Sequence, residues 1–152
     1  MKKSRNLPIG VDDFKDLRQG YYFVDKTGFI QNLIDGHSKV TLFTRPRRFG
    51  KTLTLSMLYY FFTLEHAEEH RRLFDGCFIS QAGKGYMSEQ GTRPVIMFSL
   101  KDIKEKNFDL MMEHFAALMQ STYASFRYLL GGDVLYEGHQ GQRLFIYDCN
   151  DS

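Results

Sequence analysis

The chain is 152 residues long, has a formal net charge of +2, and is 43% hydrophobic, 25% charged and 15% aromatic. This composition is typical of one globular domain with a sizeable core, and it excludes a disordered chain. A net charge this small gives no general attraction for nucleic acids, although a local arginine cluster can still bind phosphate. Cys77 and Cys149 form neither a zinc-ligand spacing nor a disulfide framework, which predicts a reducing cytoplasm. No apolar run reaches the roughly 18 residues of a membrane span, and no apolar segment of a signal peptide follows the basic N-terminus.

The first elements are predicted to be a leader, a short strand and a helix. Residues 7–20 are expected to be irregular, with a short turn or two, and residues 21–24 are expected to form a short strand. Asp25 or Thr27 is placed to cap a helix that Gly36 ends.

A strand and a helix are predicted next, with a polar turn between them. Residues 39–44 are apolar enough for a buried strand. Residues 51–64 predict a helix, because apolar side chains recur there at helical spacing. Those side chains are Leu53, Met57, Leu58, Phe61 and Phe62.

The second half of the chain predicts another strand and a long helix. Residues 65–93 give a mixed signal, whereas residues 94–100 are nearly continuously apolar, as in a parallel strand that is covered on both faces. Asn107 is expected to cap a helix with one inward face. The residues of that face are Phe108, Met111, Met112, Phe115, Leu118, Met119, Tyr123 and Phe126. Alternating strands and helices predict an α/β domain with a parallel sheet flanked by helices.

The turn between the predicted strand 39–44 and helix 51–64 has the sequence RPRRFGKT. Glycine, lysine and threonine at such a turn are typical of loops that bind nucleotide phosphates at a helix N-terminus. Lys51 is then expected to contact the β- and γ-phosphates, and the Thr52 hydroxyl to bind Mg²⁺. The predicted nucleotide-binding residues are Arg45, Pro46, Arg47, Arg48, Phe49, Gly50, Lys51, Thr52 and Leu53.

The loop departs from the usual G-x-x-x-x-G-K-[ST] pattern at its first position, which is Arg45. Pro46 then removes one backbone N–H donor from the loop. Arg47 and Arg48 can offset that loss through charge-assisted contacts with phosphate, or they can be solvated surface arginines.

Other candidate ligands have simpler explanations. His66 and His70 are four residues apart on a predicted helix, but no third metal ligand is evident, so solvated helix histidines are the favoured interpretation. The aspartates that are candidates for Mg²⁺ or base contacts fit turn and capping positions better. They are Asp12, Asp13, Asp25 and Asp102.

Several blocks in the same order make the chain resemble the bacterial AAA-ATPase-like proteins. The blocks are LPIGVDDFKDLRQGYYFVDKTGFIQNLI, TLFTRPRRFGKTLTLSMLYYFF, LFDGCFI and PVIMFSLKDI, and the resemblance runs from about Leu7 to Leu130. The arginine-rich form of the loop is typical of that family, so Arg45 is a family variant. The resemblance implies an AAA-like phosphate-loop core, ATP and Mg²⁺ as ligands, and ATPase activity. It also implies a carboxy-terminal nuclease-like domain of the PD-(D/E)XK type in longer relatives, and it suggests that the block Gly20–Thr27 packs near the adenine, although a leader docked on the core explains that block equally well.

The Asp-Glu pair that ends a strand in that family has no counterpart here. Residues 144–148, LFIYD, imitate that strand but lack the glutamate, so Asp148 is a weak candidate for the carboxylate on the Mg²⁺ side. Residues 1–130 are therefore expected to be the N-terminal part of the phosphate-loop domain, with a core incomplete at its C-terminal side. Residues 131–152 are expected to be an atypical tail from truncation or a shifted reading frame.

The function predicted from these residues is ATP binding, and hydrolysis does not follow from them. A basic loop that binds nucleic-acid backbones and an inactive remnant of an ATPase are the alternatives. A small phosphate-loop kinase fits less well, because no lid arginines or acceptor-site base can be placed.

Overall fold

The computed structural model describes residues 6–38, 40–44, 46, 49–100, 103–130 and 144–148. The chain divides into two compact units, Met1–Val95 and Ile96–Ser152. The helices are α1 (Phe14–Gly20), α2 (Gly28–Gly36), α3 (Lys51–Phe62), α4 (Ala67–Arg71), α5 (Phe78–Gln81), α6 (Lys84–Met87) and α7 (Phe108–Ser125), with 3₁₀ turns at Arg72–Phe74 and Arg127–Leu130. The strands are β1 (Val95–Ser99) and β2 (Leu144–Asp148). None of the described helices combines the length and the apolar character that a membrane crossing requires.

Helix α1 is tied to α3 by hydrogen bonds at its N-terminus. Asp13 caps α1 by accepting from the N–H groups of Lys15 and Asp16 at 2.7 and 3.1 Å. The Tyr60 hydroxyl donates to the other oxygen of Asp13 at 3.0 Å. In the buried interior, the Phe14 N–H donates to the Ser56 hydroxyl at 2.9 Å. One of the N–H groups that every helix start leaves unpaired is thus bonded to the neighbouring helix.

An aromatic cluster forms the centre of the first unit. Phe14, Phe61, Phe62 and Phe74 are each at most 1% exposed. Phe74 stacks on Phe14 and meets Phe61 edge-on, with ring centroids 5.1 Å apart in both pairs. Burying such side chains supplies most of the stability of a small domain.

The helices predicted in the first unit are confirmed, with small differences at their ends. Thr27 is the N-cap residue of α2, but His37 rather than Gly36 takes the left-handed conformation at its end, with φ of 45°. Helix α3 ends at Phe62, two residues early, because Thr63 turns extended and bridges to Arg93. The leader, expected to be irregular, contains the helix α1. The strand expected at 21–24 is reduced to one bridge between Tyr21 and Asn6.

The prediction of a buried strand at residues 39–44 is wrong. Residues 40–44 belong to neither a helix nor a strand, and Val40 and Leu42 are 83% and 78% exposed. The Phe43 ring packs edge-on against Phe29 of α2, with ring centroids 4.9 Å apart. A strand needs a hydrogen-bonded neighbour, and within the described residues no strand pairs with this segment.

In the second unit, the predicted strand and helix form, but their burial differs from the prediction. Strand β1 falls within residues 94–100 and pairs with β2 in a two-stranded sheet, yet Met97 is 38% exposed, so β1 is not covered on both faces. Asn107 caps α7 as predicted, accepting from the Asp109 N–H at 2.9 Å.

The inward face predicted for α7 is wrong, because no residue of that helix is buried. Phe108 and Tyr123 are 67% and 72% exposed. The half-buried members of the predicted face are Met111, Leu118, Met119 and Phe126. The described elements of this unit are too few to cover the face of an 18-residue helix. The described residues are mainly helical, and their one sheet has the two strands β1 and β2, so the larger parallel sheet flanked by helices stays a prediction.

Gly91 offers a direct test of how closely the chain packs. Its φ is +70°, and a Cβ at this position would lie 2.5 Å from the Ala67 Cβ. We expect Gly91→Ala to lower the free energy of unfolding by about 2–5 kcal/mol, because a left-handed penalty of about 1–2 adds to an overpacking cost of about 1–3. Gly76→Ala is the matched control, since Gly76 has φ of +72° and nothing within 4 Å of its added Cβ. Urea unfolding that shows equal losses in the two variants would contradict the close packing.

Candidate functional site

Helix α3 begins directly after Gly50, at the residue where the sequence predicts the start of a helix. Gly50 is the N-cap residue, in the left-handed conformation with φ of 73° and ψ of 32°. Its carbonyl oxygen accepts from the Thr54 N–H and from the Thr54 hydroxyl, both at 2.9 Å. Because a glycine has no side chain and tolerates positive φ, the chain can turn sharply here and leave the end of the helix open to a ligand.

The described residues of the predicted nucleotide site lie together at this helix end. Pro46 and Phe49 are exposed, the latter by 57%. Three predicted residues follow Gly50 in the first turn of α3 and are half-buried: Lys51, Thr52 and Leu53. Arg45, Arg47 and Arg48 lie outside the described residues.

The electrostatic character of this end favours an anion. The dipole of a helix leaves a partial positive charge at its N-terminus, and the first turn of α3 contains no acidic residue. Lys51 adds a positive side chain in the same turn. A phosphate or a carboxylate is therefore the kind of ligand that this end is suited to bind.

The block Gly20–Thr27 packs beside the first half of α3. A mainly apolar cavity of about 280 Å³ lies between them. Its walls include Tyr22, Phe23, Val24 and Lys26 from the block, and Leu53, Thr54 and Met57 from α3. This volume is close to the lower end of the range for small-molecule sites, roughly 300–1,000 Å³.

Asp25 fixes the end of this block to the start of α5. One carboxylate oxygen accepts from the Thr27 N–H at 2.8 Å and from the Thr27 hydroxyl at 2.6 Å. The other accepts from the Phe78 N–H at 2.6 Å. Partial desolvation raises the pKa of the Asp25 carboxyl, but these hydrogen bonds outweigh it, and the net pKa is lowered.

The aspartates of the sequence analysis are mainly structural where the chain is described. Asp13 caps α1 and Asp25 anchors Thr27 and Phe78, which confirms the capping and turn interpretation for both. Asp12 lines an open cavity of about 470 Å³ that also includes Asp16 and that no residue of α3 lines. Asp102 lies outside the described residues.

The two spaced histidines have different surroundings, because His66 is exposed and His70 is buried. Within the described residues, no group of three or more histidine, cysteine and acidic side chains could hold an ion. The interpretation as solvated histidines is wrong for His70, which is 5% exposed and packs edge-on against Tyr60 with ring centroids 4.8 Å apart. The His70 Nδ1 is buried without a hydrogen-bond partner, and burial lowers the pKa of this imidazole.

Sequence reasoning gave the position of Gly50 and Lys51 but missed the second lysine at this helix end. A Cβ on Gly50 would lie 3.8 Å from the Lys26 Nζ. Because the two residues are far apart in the sequence, motif spacing does not predict this proximity. In the sequence, the signal that could have linked the two residues was that the blocks containing them both belong to the family resemblance.

The comparisons with known proteins agree with the resemblance seen in the sequence. A family model described as "Predicted AAA-ATPase" matches residues 8–144, which extends past Leu130. An uncharacterized protein from the vnfD 5′ region of Azotobacter chroococcum mcd 1 is 50% identical over 56 residues, which are 36% of this chain and 11% of that protein. The chain thus aligns with about a tenth of that relative. No solved structure matches the chain.

The anchor at Asp25 predicts a dependence of stability on acid pH. A carboxyl whose folded pKa is lowered stabilises the fold above its unfolded pKa of about 3.9, and this contribution is lost as the pH falls through the folded value. We expect Asp25→Asn to cost about 1.5–3 kcal/mol at pH 7, and the difference from the wild type to shrink below pH of about 4. Urea unfolding across this pH range measures both. Asp75→Asn, at an exposed position, controls for the loss of one negative charge, and a difference that persists at pH 2.5 would contradict the assignment.

The buried His70 imidazole lowers stability at acid pH, so a substitution there is expected to be tolerated, unlike Asp25→Asn. Because the folded pKa of His70 is lowered, the unfolded chain takes up its proton first, and the wild type loses stability as the pH falls below about 6.5. His70→Leu removes that loss and a buried unpaired nitrogen, so we expect a flatter profile between pH 7 and 5 and little change at pH 7.5. His114→Gln, at an exposed position, is the control. A His70→Leu profile as steep as that of the wild type would exclude His70 as the source.

Proposed function

Because this chain belongs to the predicted AAA-ATPase family, we propose that it binds ATP at the N-terminus of α3. The observation that carries the proposal is the left-handed turn at Gly50, which starts the helix directly before Lys51 and Thr52. The site consists of the loop Arg45–Leu53. Family membership supports a nucleotide as the ligand, and the local geometry at Gly50 supports this position for it.

The residues of this site fit a nucleotide triphosphate with its metal ion. Backbone N–H groups at the helix start and the Lys51 ammonium bind the phosphate oxygens. The Thr52 hydroxyl is an oxygen ligand of the kind that Mg²⁺ takes alongside phosphates and water. The ion, when bound, neutralises charge on the phosphates. Arg47 and Arg48 belong to this proposal as further phosphate contacts.

We place the adenine in the cavity between the block Gly20–Thr27 and α3. The cavity opens beside the residues that follow Gly50, and its walls are mainly apolar, as nucleobase pockets require. The buried side chains of Phe14, Leu17 and Met57 line it and give it a fixed shape.

The proposal covers binding, and turnover is a separate question. Hydrolysis requires a carboxylate that holds Mg²⁺ or orients water. By its sequence alone, Asp148, the last residue of β2, is a weak candidate for that carboxylate. A phosphate-loop core with a parallel sheet stays a prediction from the family resemblance. Control of a nuclease-like domain by the bound nucleotide, in longer relatives, is a second such prediction.

The test is a titration with fluorescent ATP and Mg²⁺ on the wild type and on Lys51→Ala. We expect the variant to bind about ten- to a hundredfold more weakly, because charge-assisted contacts worth about 1.5–3 kcal/mol are lost. Lys106→Ala, at an exposed position outside the loop, is the control and should bind like the wild type. Circular dichroism and thermal unfolding check that all three proteins are folded.

Two outcomes would contradict the proposal. A folded wild type that binds no nucleotide would indicate an inactive remnant. Binding of single-stranded DNA that falls steeply with salt, and that Lys51→Ala weakens no more than Lys106→Ala does, would indicate a basic nucleic-acid surface instead.

A further inference from the structure

Lys26 places a second ammonium group at the helix end that carries the phosphate loop. Its Nζ lies 3.8 Å from the position that a Cβ on Gly50 would occupy. The side chain is exposed, and within the described residues no carboxylate pairs with it. Lys26 also lines the cavity next to Leu53 and Thr54.

The backbone on both sides of Lys26 is fixed by hydrogen bonds. Asp25 accepts from the Phe78 N–H at 2.6 Å, and the Thr27 hydroxyl accepts from the Ile79 N–H at 3.1 Å. Thr27 is fully buried. The backbone of Lys26 is therefore held between two anchored residues, from which its side chain reaches the neighbourhood of Gly50.

Among the described residues, neither Lys26 nor Lys51 forms an ion pair. A positive side chain is disfavoured at a helix N-terminus, because the dipole there is also positive. Lys26 and Lys51 both belong to this end of α3, whose first turn has no acidic residue. A ligand with several negative charges is the group that would relieve this repulsion, and a nucleoside di- or triphosphate has them where an uncharged nucleoside does not.

We propose that Lys26 is a second phosphate-binding lysine of the nucleotide site. It donates to a phosphate oxygen of the nucleotide held at α3, and so selects for nucleotides with several phosphates. The inference rests on the proposed function, because it assumes a nucleotide at this helix end.

The test compares ATP, ADP and AMP as competitors of a fluorescent ATP analogue. We expect Lys26→Gln to weaken ATP binding about tenfold, since a hydrogen bond between charged groups is lost, and to weaken AMP binding much less. Lys26→Arg keeps the charge and should restore most of the ATP affinity. Lys104→Gln, at an exposed position, is the control for the loss of one positive charge.

The outcomes separate this inference from the proposed function. If Lys51→Ala loses ATP binding but Lys26→Gln binds ATP like the wild type, the nucleotide site stands and the role of Lys26 is overturned. Equal losses for ATP and AMP in Lys26→Gln, with unchanged thermal unfolding, would also overturn it, because they indicate a contact with the base, the ribose or the α-phosphate, which the two nucleotides share. If the folded wild type binds none of the three nucleotides, the proposed function itself fails.

Discussion

The hydrogen bond from the Phe14 N–H to the Ser56 hydroxyl is the constraint around which the first unit is organised. It lies in the buried interior, where an unpaired N–H would cost as much as a lost hydrogen bond. It fixes the start of α1 against the middle of α3 and brings Phe14 onto Phe74, which in turn meets Phe61. The position of α3, and hence of the candidate site at its N-terminus, thus depends on the segment that precedes the loop in the chain.

This dependence gives the leader a role that its sequence does not suggest. The segment after α1 runs along α3, where it forms one wall of the cavity, and then reaches the anchor at Asp25. Arg18 secures the same segment from the other side, because its guanidinium donates to the Leu73 and Asp75 carbonyl oxygens at 2.7 and 2.8 Å and lies over the Phe23 ring. The cavity beside α3 is therefore lined by two separate parts of the chain.

The sequence predicted those features that depend on local chemistry. The start of α3 was predicted correctly because a glycine turns easily at that point, and the Asn107 cap because an amide oxygen accepts from a backbone N–H two residues later. Predictions that depend on partners failed. Residues 40–44 have the composition of a buried strand but no strand beside them, and the apolar stripe of α7 has no covering layer among the described residues. Lys26 could not be found by spacing, because it lies near Gly50 only in the folded first unit.

The same hydrogen bonds couple the stability of the first unit to the candidate site. The Asp25 carboxylate holds the Phe78 N–H at the start of α5 and, through Thr27, the residue on the other side of Lys26. A ligand that binds only the folded chain stabilises it in proportion to the logarithm of its concentration above the dissociation constant. If phosphate groups are held between α3 and Lys26, that stabilisation acts on α3 and on the Asp25 anchor together, because neither can open without releasing the ligand. Nucleotide binding would thus stabilise the same contacts that position the candidate site.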